Sequence, residues 1–545
     1  MESTMGLLSD PFLQLPTENS INVVWFTEFP GAQNLVNFGD NLQAQAIATT
    51  KKMTRLREDN EEQVVWRDVW RHEAVVGGLT QGKSVPYQVT SIKETGEKIT
   101  SKVFSLSPLP QPGTPLKILL TSDHQLKAMT AANLQKVVET IGKVDGVFLA
   151  GDLVNIPDRA SEWFDDHGGG AFFPCLQGKA NYELGNTVYT GGELIQNAPL
   201  LAAIGNHEVM GRFSMTRSLN EQFDDSFPRK EAEIYYEKYA EKLNPGADPL
   251  VKEAWLKANS FNTDTYEEIF TLPQSIQGGK KYYAITFGDV RLVVLYATNM
   301  WRRPKVSPEV KGRYQERAAD LNNPEKWGGG QHIFEPISKG SSQYLWLEEE
   351  LKSKEFQQAK FKIVMFHHPV HTLGGNIVPP YTDPVARIET APDGIIKSVN
   401  YDYPPENDYL MRDVMPLLEA AGVQLVFNGH SHLWNRFVSP SGIHFLETSN
   451  VGNSYGAHLG ENKRPVPPNN PLNYAVIGDP NGLEPIMPNI APLVDEVTGE
   501  SLPYIASNEI TVFSILDTGS GKISSYRFDT LQPRAKVIKF DEFGW

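Results

Sequence analysis

Cysteine is almost missing. Cys175 is the single one among 545 residues, so no intrachain disulfide can form. Nothing beside it in sequence would activate a thiolate, and it reads as a packing residue. No run of about 18 apolar residues occurs, so a membrane-spanning helix is not expected. Positive charge is in deficit. A formal net charge of −16 argues against a nucleic-acid backbone as partner. A small phosphorylated substrate stays open, because bound metal ions could supply local positive charge. Residues 1–15 lack a basic segment followed by an apolar core, so no signal peptide is visible. The protein is expected to be cytoplasmic, or exported and already processed. No internal repeat is found.

What is there is ordinary globular composition, 40% apolar and 21% charged, in a length that suits about three or four structural units. Residues 10–112 read as all-β. Ser20–Thr27 alternates apolar and polar residues, as do the runs near His72 and Val85, and turn signals such as Pro30-Gly31 and Gly77-Gly78 separate them. Strands at this spacing predict an antiparallel sandwich. His72, just ahead of a strand, reads as a satisfied structural histidine. The Pro-rich stretch 106–113 is the first boundary.

From Pro115 strands and helices alternate. Strands are expected at 117–121, 146–150, 200–204, 361–366 and 423–427, a hairpin at 282–296, and helices at 131–142, 341–353 and 409–421. That alternation predicts helices layered on a sheet, with ligands at the carboxyl ends of the strands. Residues 115–460 form the expected second domain. Residues 461–545 are a Pro-rich insertion and a final hairpin, 509–516 with 522–528, that completes it. The insertions 373–407 and 462–503 are too long for ordinary connections, and are lids, substrate walls or passive excursions.

Five polar loops follow buried strands. They are Ser122-Asp123-His124-Gln125, Gly151-Asp152 continuing to Asn155, Gly205-Asn206-His207-Glu208, His367-His368-Pro369, and Gly429-His430-Ser431-His432. Seven of the twelve histidines (His124, His207, His367, His368, His371, His430 and His432) lie in or just after these loops. Structural histidines would not concentrate at strand ends. Oxygen and imidazole donors suit Zn, Fe or Mn, and the lack of thiolate argues against a closed structural zinc site. Two carboxylates, an amide and several imidazoles exceed the needs of one ion. Two ions sharing a bridging carboxylate would use them, and such a pair suits phosphoryl hydrolysis. His368 reads as structural, and His167, His332, His444 and His458 have no motif context.

The order Asp123, Gly151-Asp152, Gly205-Asn206-His207-Glu208, His367-x-Pro369, Gly429-His430-x-His432 resembles the calcineurin-like metallophosphoesterases over about residues 115 to 455. The domain ahead of it resembles the fibronectin-type sandwich of plant-type purple acid phosphatases. The resemblance implies a sandwich followed by an αββα domain of layered sheets, and two divalent or trivalent metal ions. Asp152 would bridge both. Asp123 and His432 would complete one site, and Asn206, His367 and His430 the other. His207 would contact substrate phosphate or protonate the leaving oxygen, while hydroxide attacks phosphorus in line without a Ser or Cys nucleophile.

Several positions depart from that pattern. The family's histidine two residues after the first aspartate is Gln125 here, so Gln125, His124 or Asn155 is a candidate remaining ligand, or none of them binds. Asn155 replaces the phosphatases' ligand tyrosine, and an iron charge-transfer colour is not implied. Their substrate-side histidine pair is missing. Asn376 and Ile377 stand there, and His371 is the nearest substitute for substrate contact. Trp434-Asn435-Arg436 stands in place of Tyr-Glu-Arg. The leading expectation is a phosphomonoesterase acting on a small phosphorylated substrate. The alternatives are a phosphodiesterase of broad specificity and a non-catalytic metal- or phosphate-binding protein. Oligomeric state is left open.

Overall fold

Ser20–Thr27 is buried along both faces, which simple alternation does not anticipate. Ile21, Val23 and Trp25 point into the core of an amino-terminal sandwich, while Val24 and Phe26 point the other way into the core of the following domain. Successive side chains leave a strand on opposite faces, so one strand serves two cores. The computed structural model describes residues 6–61, 63–467 and 474–545; residues 1–5 of the amino-terminal stretch and 468–473 of the second insertion lie outside them.

The sandwich has two antiparallel sheets. One orders Phe12–Gln14, Ser20–Thr27, Trp70–Gly77 and Thr49–Lys52; the other orders Lys98–Thr100, Val85–Ile92, Gln33–Phe38 and Ala44–Ile47, with Phe104–Leu106 also on Val85–Ile92. Trp25 ties the sheets by donating its indole N–H to Ser91 Oγ at 2.9 Å. His72 is buried between Thr27 and Thr50, 2.7 and 2.9 Å from their hydroxyls, a structural histidine as expected.

The following domain is two sheets face to face with helices outside. The first sheet orders Leu200–Ala202, Gly146–Leu149, Lys117–Thr121, Ile510–Asp517, Lys522–Asp529 and Ile538–Gly544. Its first three strands are parallel and the rest antiparallel. The second orders Tyr283–Phe287, Val290–Val294, Phe361–Met365, Leu425–Asn428, His444–Thr448, Trp434–Val438 and Tyr504–Ile505, parallel from Val290–Val294 through His444–Thr448. The parallel strands are continuous apolar runs because both of their faces are covered. Thr130–Ile141 packs on the outside of the first sheet, and Ser342–Lys352 and Met415–Ala420 on the outside of the second. Cys175 is fully buried in the core, where burial pushes its thiol up to about 12. No helix of the described residues is long and apolar enough to cross a membrane.

Three local readings change. The helix expected over 409–421 is a π-helical turn, Leu410–Val414, running into Met415–Ala420. Pro416 lacks the N–H that a regular ladder needs there. Four helices, Leu219–Phe223, Arg229–Leu243, Pro249–Asn259 and Asp264–Ile269, fill a stretch that strand–helix alternation passes over. The insertion at 373–407 carries its own hairpin, Val385–Thr390 with Ile396–Asp402.

The two domains are pinned by a hairpin, Arg57–Asp59 with Val64–Trp66, that reaches from the sandwich to the second domain. Arg57 is fully buried and meets Asp158 at 2.5 Å, Gln222 Oε1 at 2.9 Å and Ser214 O at 3.0 Å, with its guanidinium 4.5 Å from the Phe213 ring. Removing one member of a buried pair strands the other charge. Arg57→Ala is therefore expected to cost about 3–5 kcal/mol, read as an earlier urea midpoint. An unchanged midpoint would show that this contact does not hold the domains.

Candidate functional site

All five loops predicted from sequence converge where the carboxyl ends of the two sheets meet. Asp123 and Asp152 come from the first sheet, as does Asn206; His367, His430 and His432 come from the second. Glycines allow the close approach. A Cβ on Gly205 would strike Asp152, and one on Gly429 would strike Ser122 and Asp123. Asp123, Asp152, His430 and His432 are in left-handed backbone, with φ of 59°, 56°, 88° and 55°. For residues with side chains this conformation is strained and is held by its surroundings.

Two donor groups share one carboxylate. Asp152, His367 and His430 form the first, and Asp123, Asp152 and His432 the second; within each group the ligand atoms lie within 4.8 Å of one another. Backbone carbonyls decide which ring nitrogens are free, since a carbonyl can only accept. His367 Nδ1 donates to Ala150 O at 2.8 Å, His432 Nδ1 to Asn453 O at 3.0 Å, and His207 Nδ1 to Asn155 O at 2.7 Å. The Nε2 atoms of all three are left to face the cleft. His367 Nε2 lies 3.1 Å from each of Asn206 Oδ1, His430 Nδ1 and Asp152 Oδ2. His432 Nε2 lies 3.4 Å from Asp123 Oδ1.

The donor set fits a pair of metal ions of the Zn, Fe or Mn type, whose positive charge would offset the mutual repulsion of its lone pairs. The electrostatics agree. Burial would lower His367, but the charges of Asp152 and Asp123 push it up to about 10. Burial would raise Asp152, but His367 and His207 hold it well below the usual carboxylate range. His430 is driven well below its ordinary value by burial and by the neighbouring His367.

Two buried glutamates brace the loops. Glu208 accepts from the backbone N–H of Gly205, Asp152 and Leu153 at 2.7, 2.8 and 2.7 Å. Glu447 accepts from Ser431 N and Thr372 Oγ1 at 2.7 Å each, and from Asn435 Nδ2 and Ser449 Oγ at 3.1 Å each. Burial, together with the nearby aspartates, pushes both up to about 8. Ser431 lies between His430 and His432, so Glu447 grips the middle of the left-handed loop.

The structure separates the residues left open by sequence. Gln125 is in the cleft, donating from Nε2 to Asp152 Oδ2 at 2.8 Å, with its buried Oε1 free of any partner. His124 is turned away: its Nε2 pairs with Thr121 Oγ1 at 2.9 Å and its ring packs toward Phe172, so the expectation that it reaches the site is corrected. Asn155 contributes its carbonyl to His207. His371 is also corrected as a substrate contact. Its Nδ1 is 2.7 Å from Asp479, its ring packs on Phe445 4.4 Å away, and it does not line the cleft. Asp479 lies in the second insertion, and no local sequence signal foretells the pairing. His368 is buried against Tyr381.

The cleft has a volume of about 200 Å³, and its walls include residues that sequence reasoning missed: Lys127, Phe223, Asp224, Met300, Trp301 and Phe334. His207 stacks on Phe223 at 5.0 Å and His432 on Tyr455 at 5.0 Å. Asn376, where the phosphatases' histidine pair would stand, lines the cleft and donates to His430 O at 3.0 Å. These residues belong to helices and insertions without motif spacing.

Glu447→Gln would turn one acceptor into a donor facing donors. It is expected to cost about 1–3 kcal/mol and to lower the metal bound per chain, checked by thermal melting and elemental analysis. Wild-type values in both would remove Glu447 from the bracing role.

The family model for calcineurin-like phosphoesterases matches residues 116–433. Among solved structures, a purple acid phosphatase from yellow lupin (Lupinus luteus) seeds matches with a TM-score of 0.54 and 14% identity, over 98% of this chain and 73% of that one. No curated protein matches. With the strand-end loops, the shared carboxylate and the matched stretch in agreement, the chain belongs to the calcineurin-like phosphoesterases, metal-dependent hydrolases of phosphoric esters.

Proposed function

We propose that the protein is a phosphomonoesterase whose residues would hold a dinuclear metal centre, with Asp152 shared between its two donor groups. The observation that carries this is Asp152's membership of both donor groups. Asp123 and His432 complete one site, with Gln125 Oε1 as a further donor. Asn206, His367 and His430 complete the other. The ions, when bound, polarise the phosphoryl oxygens and supply hydroxide near neutral pH. His207, with Nδ1 anchored on the Asn155 carbonyl, turns Nε2 toward the cleft. Burial lowers its pKa while the Asp152 charge opposes that, and in its charged form it protonates the leaving oxygen. Phe223 holds its ring plane by stacking.

Monoester preference is supported by the small size of the cleft, about 200 Å³. A phosphodiesterase remains the second reading, on the missing histidine pair. The test is hydrolysis of p-nitrophenyl phosphate against its bis-ester after reconstitution with Mn, Zn or Fe, alongside metal analysis. The expected result is about two metal equivalents per chain, faster turnover of the monoester, and loss of activity on chelation. Faster turnover of the bis-ester would reverse the assignment, and turnover of neither would sink both.

His207→Ala is expected to keep the metals. It should slow hydrolysis of alkyl phosphates by about 10²–10⁴-fold and barely affect p-nitrophenyl phosphate, whose leaving group needs no proton. An equal loss on both esters would remove His207 from the acid role.

A further inference from the structure

The segment between Lys117–Thr121 and Thr130–Ile141 is built with unusual backbone. Asp123, Gln125 and Leu126, three of four consecutive residues, have φ of 59°, 35° and 54°. Such conformations persist in side-chain-bearing residues only where the surroundings over-determine them, and they gather at functional sites. The turn is closed by Lys127 N donating to His124 O at 2.7 Å. Beyond it, Thr130 N donates to Lys127 O, and Met129 N reaches across to Val451 O at 2.9 Å. Gly452 lets that neighbouring loop lie close: a Cβ there would stand 3.5 Å from Lys127 Cβ. Asp123 and Gln125 are accounted for by the metal site. The same turn also places Lys127 on the wall of the cleft.

Lys127 is the sole Lys or Arg among the residues lining the cleft. Burial lowers the pKa of its ammonium against the charges of Asp152, Asp123 and Glu162, and it donates a hydrogen bond to none of them. Two other candidate contacts for phosphate are spent: His371 is paired with Asp479, and Asn376 donates to the His430 carbonyl. We propose that Lys127 binds the outer phosphoryl oxygens of the substrate and makes the site select the dianionic monoester over the singly charged diester. This rests on the phosphoesterase reading of the cleft. A monoester near neutral pH carries a charge of about −1.5 to −2, whereas a diester carries one charge fewer. The added charge sits on the oxygens away from the ester link, where a lone cation has most to offer.

The test uses the full chain loaded with metal, as wild type, Lys127→Met, Lys127→Arg, and the control Lys143→Met on an exposed turn. Inorganic phosphate binding is measured by calorimetry, metal content by elemental analysis, and kcat/KM on p-nitrophenyl phosphate and its bis-ester. Lys127→Met is expected to keep its metals, and to weaken phosphate binding and monoester kcat/KM by about tenfold to a hundredfold. The bis-ester should stay within about twofold, too small a change for a lost charged hydrogen bond. Lys127→Arg should recover much of the loss. Unchanged phosphate affinity, or an equal loss on both esters, would overturn the proposal. If Lys127→Met misfolds, Lys127→Gln decides by the same two ratios. A wild-type protein that hydrolyses neither ester refutes the underlying reading instead.

Discussion

Everything in the cleft depends on the mutual repulsion of acceptor atoms that the fold forces together. Asp152, His367, His430 and Asn206 direct lone pairs to one place, and Asp123 and His432 direct theirs to another beside it. Burial removes the water that could otherwise screen them. Positive charge at the centre would offset that repulsion, and the two donor groups fit a pair of metal ions. Asp152 is the hinge between the two groups, and its carboxylate is held as an anion by the imidazoles around it.

Bringing these side chains to one point is costly for the backbone. Both aspartates and both histidines of the last loop are left-handed, a conformation that isolated peptides avoid. The restoring grip comes from below: Glu208 gathers three backbone N–H groups of the Asp152 and Asn206 loops, and Glu447 holds the backbone N–H of Ser431 in the His430 and His432 loop. Glu447 stands directly across the strand pair from Asn435. A carboxylate thus lies one strand away from where the resembled phosphatases carry theirs. The two sheets supply one bracing glutamate each, so the site is fixed from both sides of the seam.

The ligand loops were legible in the chain because each obeys a local rule. A short apolar run predicts a buried strand, a glycine permits the turn, and the polar residues after it can only be at the strand's carboxyl end. The sandwich was legible through its alternation and turn residues. What could not be read were the contacts between distant segments outside those loops. Arg57 seeks Asp158 101 residues away, and Asp479 takes His371 from 108 residues away. Neither pairing leaves a mark in local composition. His124 and Gln125 are adjacent in sequence, and only the left-handed turn decides which of them faces Asp152.

By itself, then, the sequence determined the order of strands and loops and the family, and placed candidate donors at the strand ends, because periodicity and motif spacing act over a few residues. Tertiary structure alone decided the rest. It turned Gln125 inward and His124 outward, withdrew His371 into the core, and lined the cleft with Lys127, Trp301 and Phe334. These outcomes depend on the backbone angles of single loops and on which insertion packs against which sheet. Those are set by the burial of the whole chain and not by any window of it.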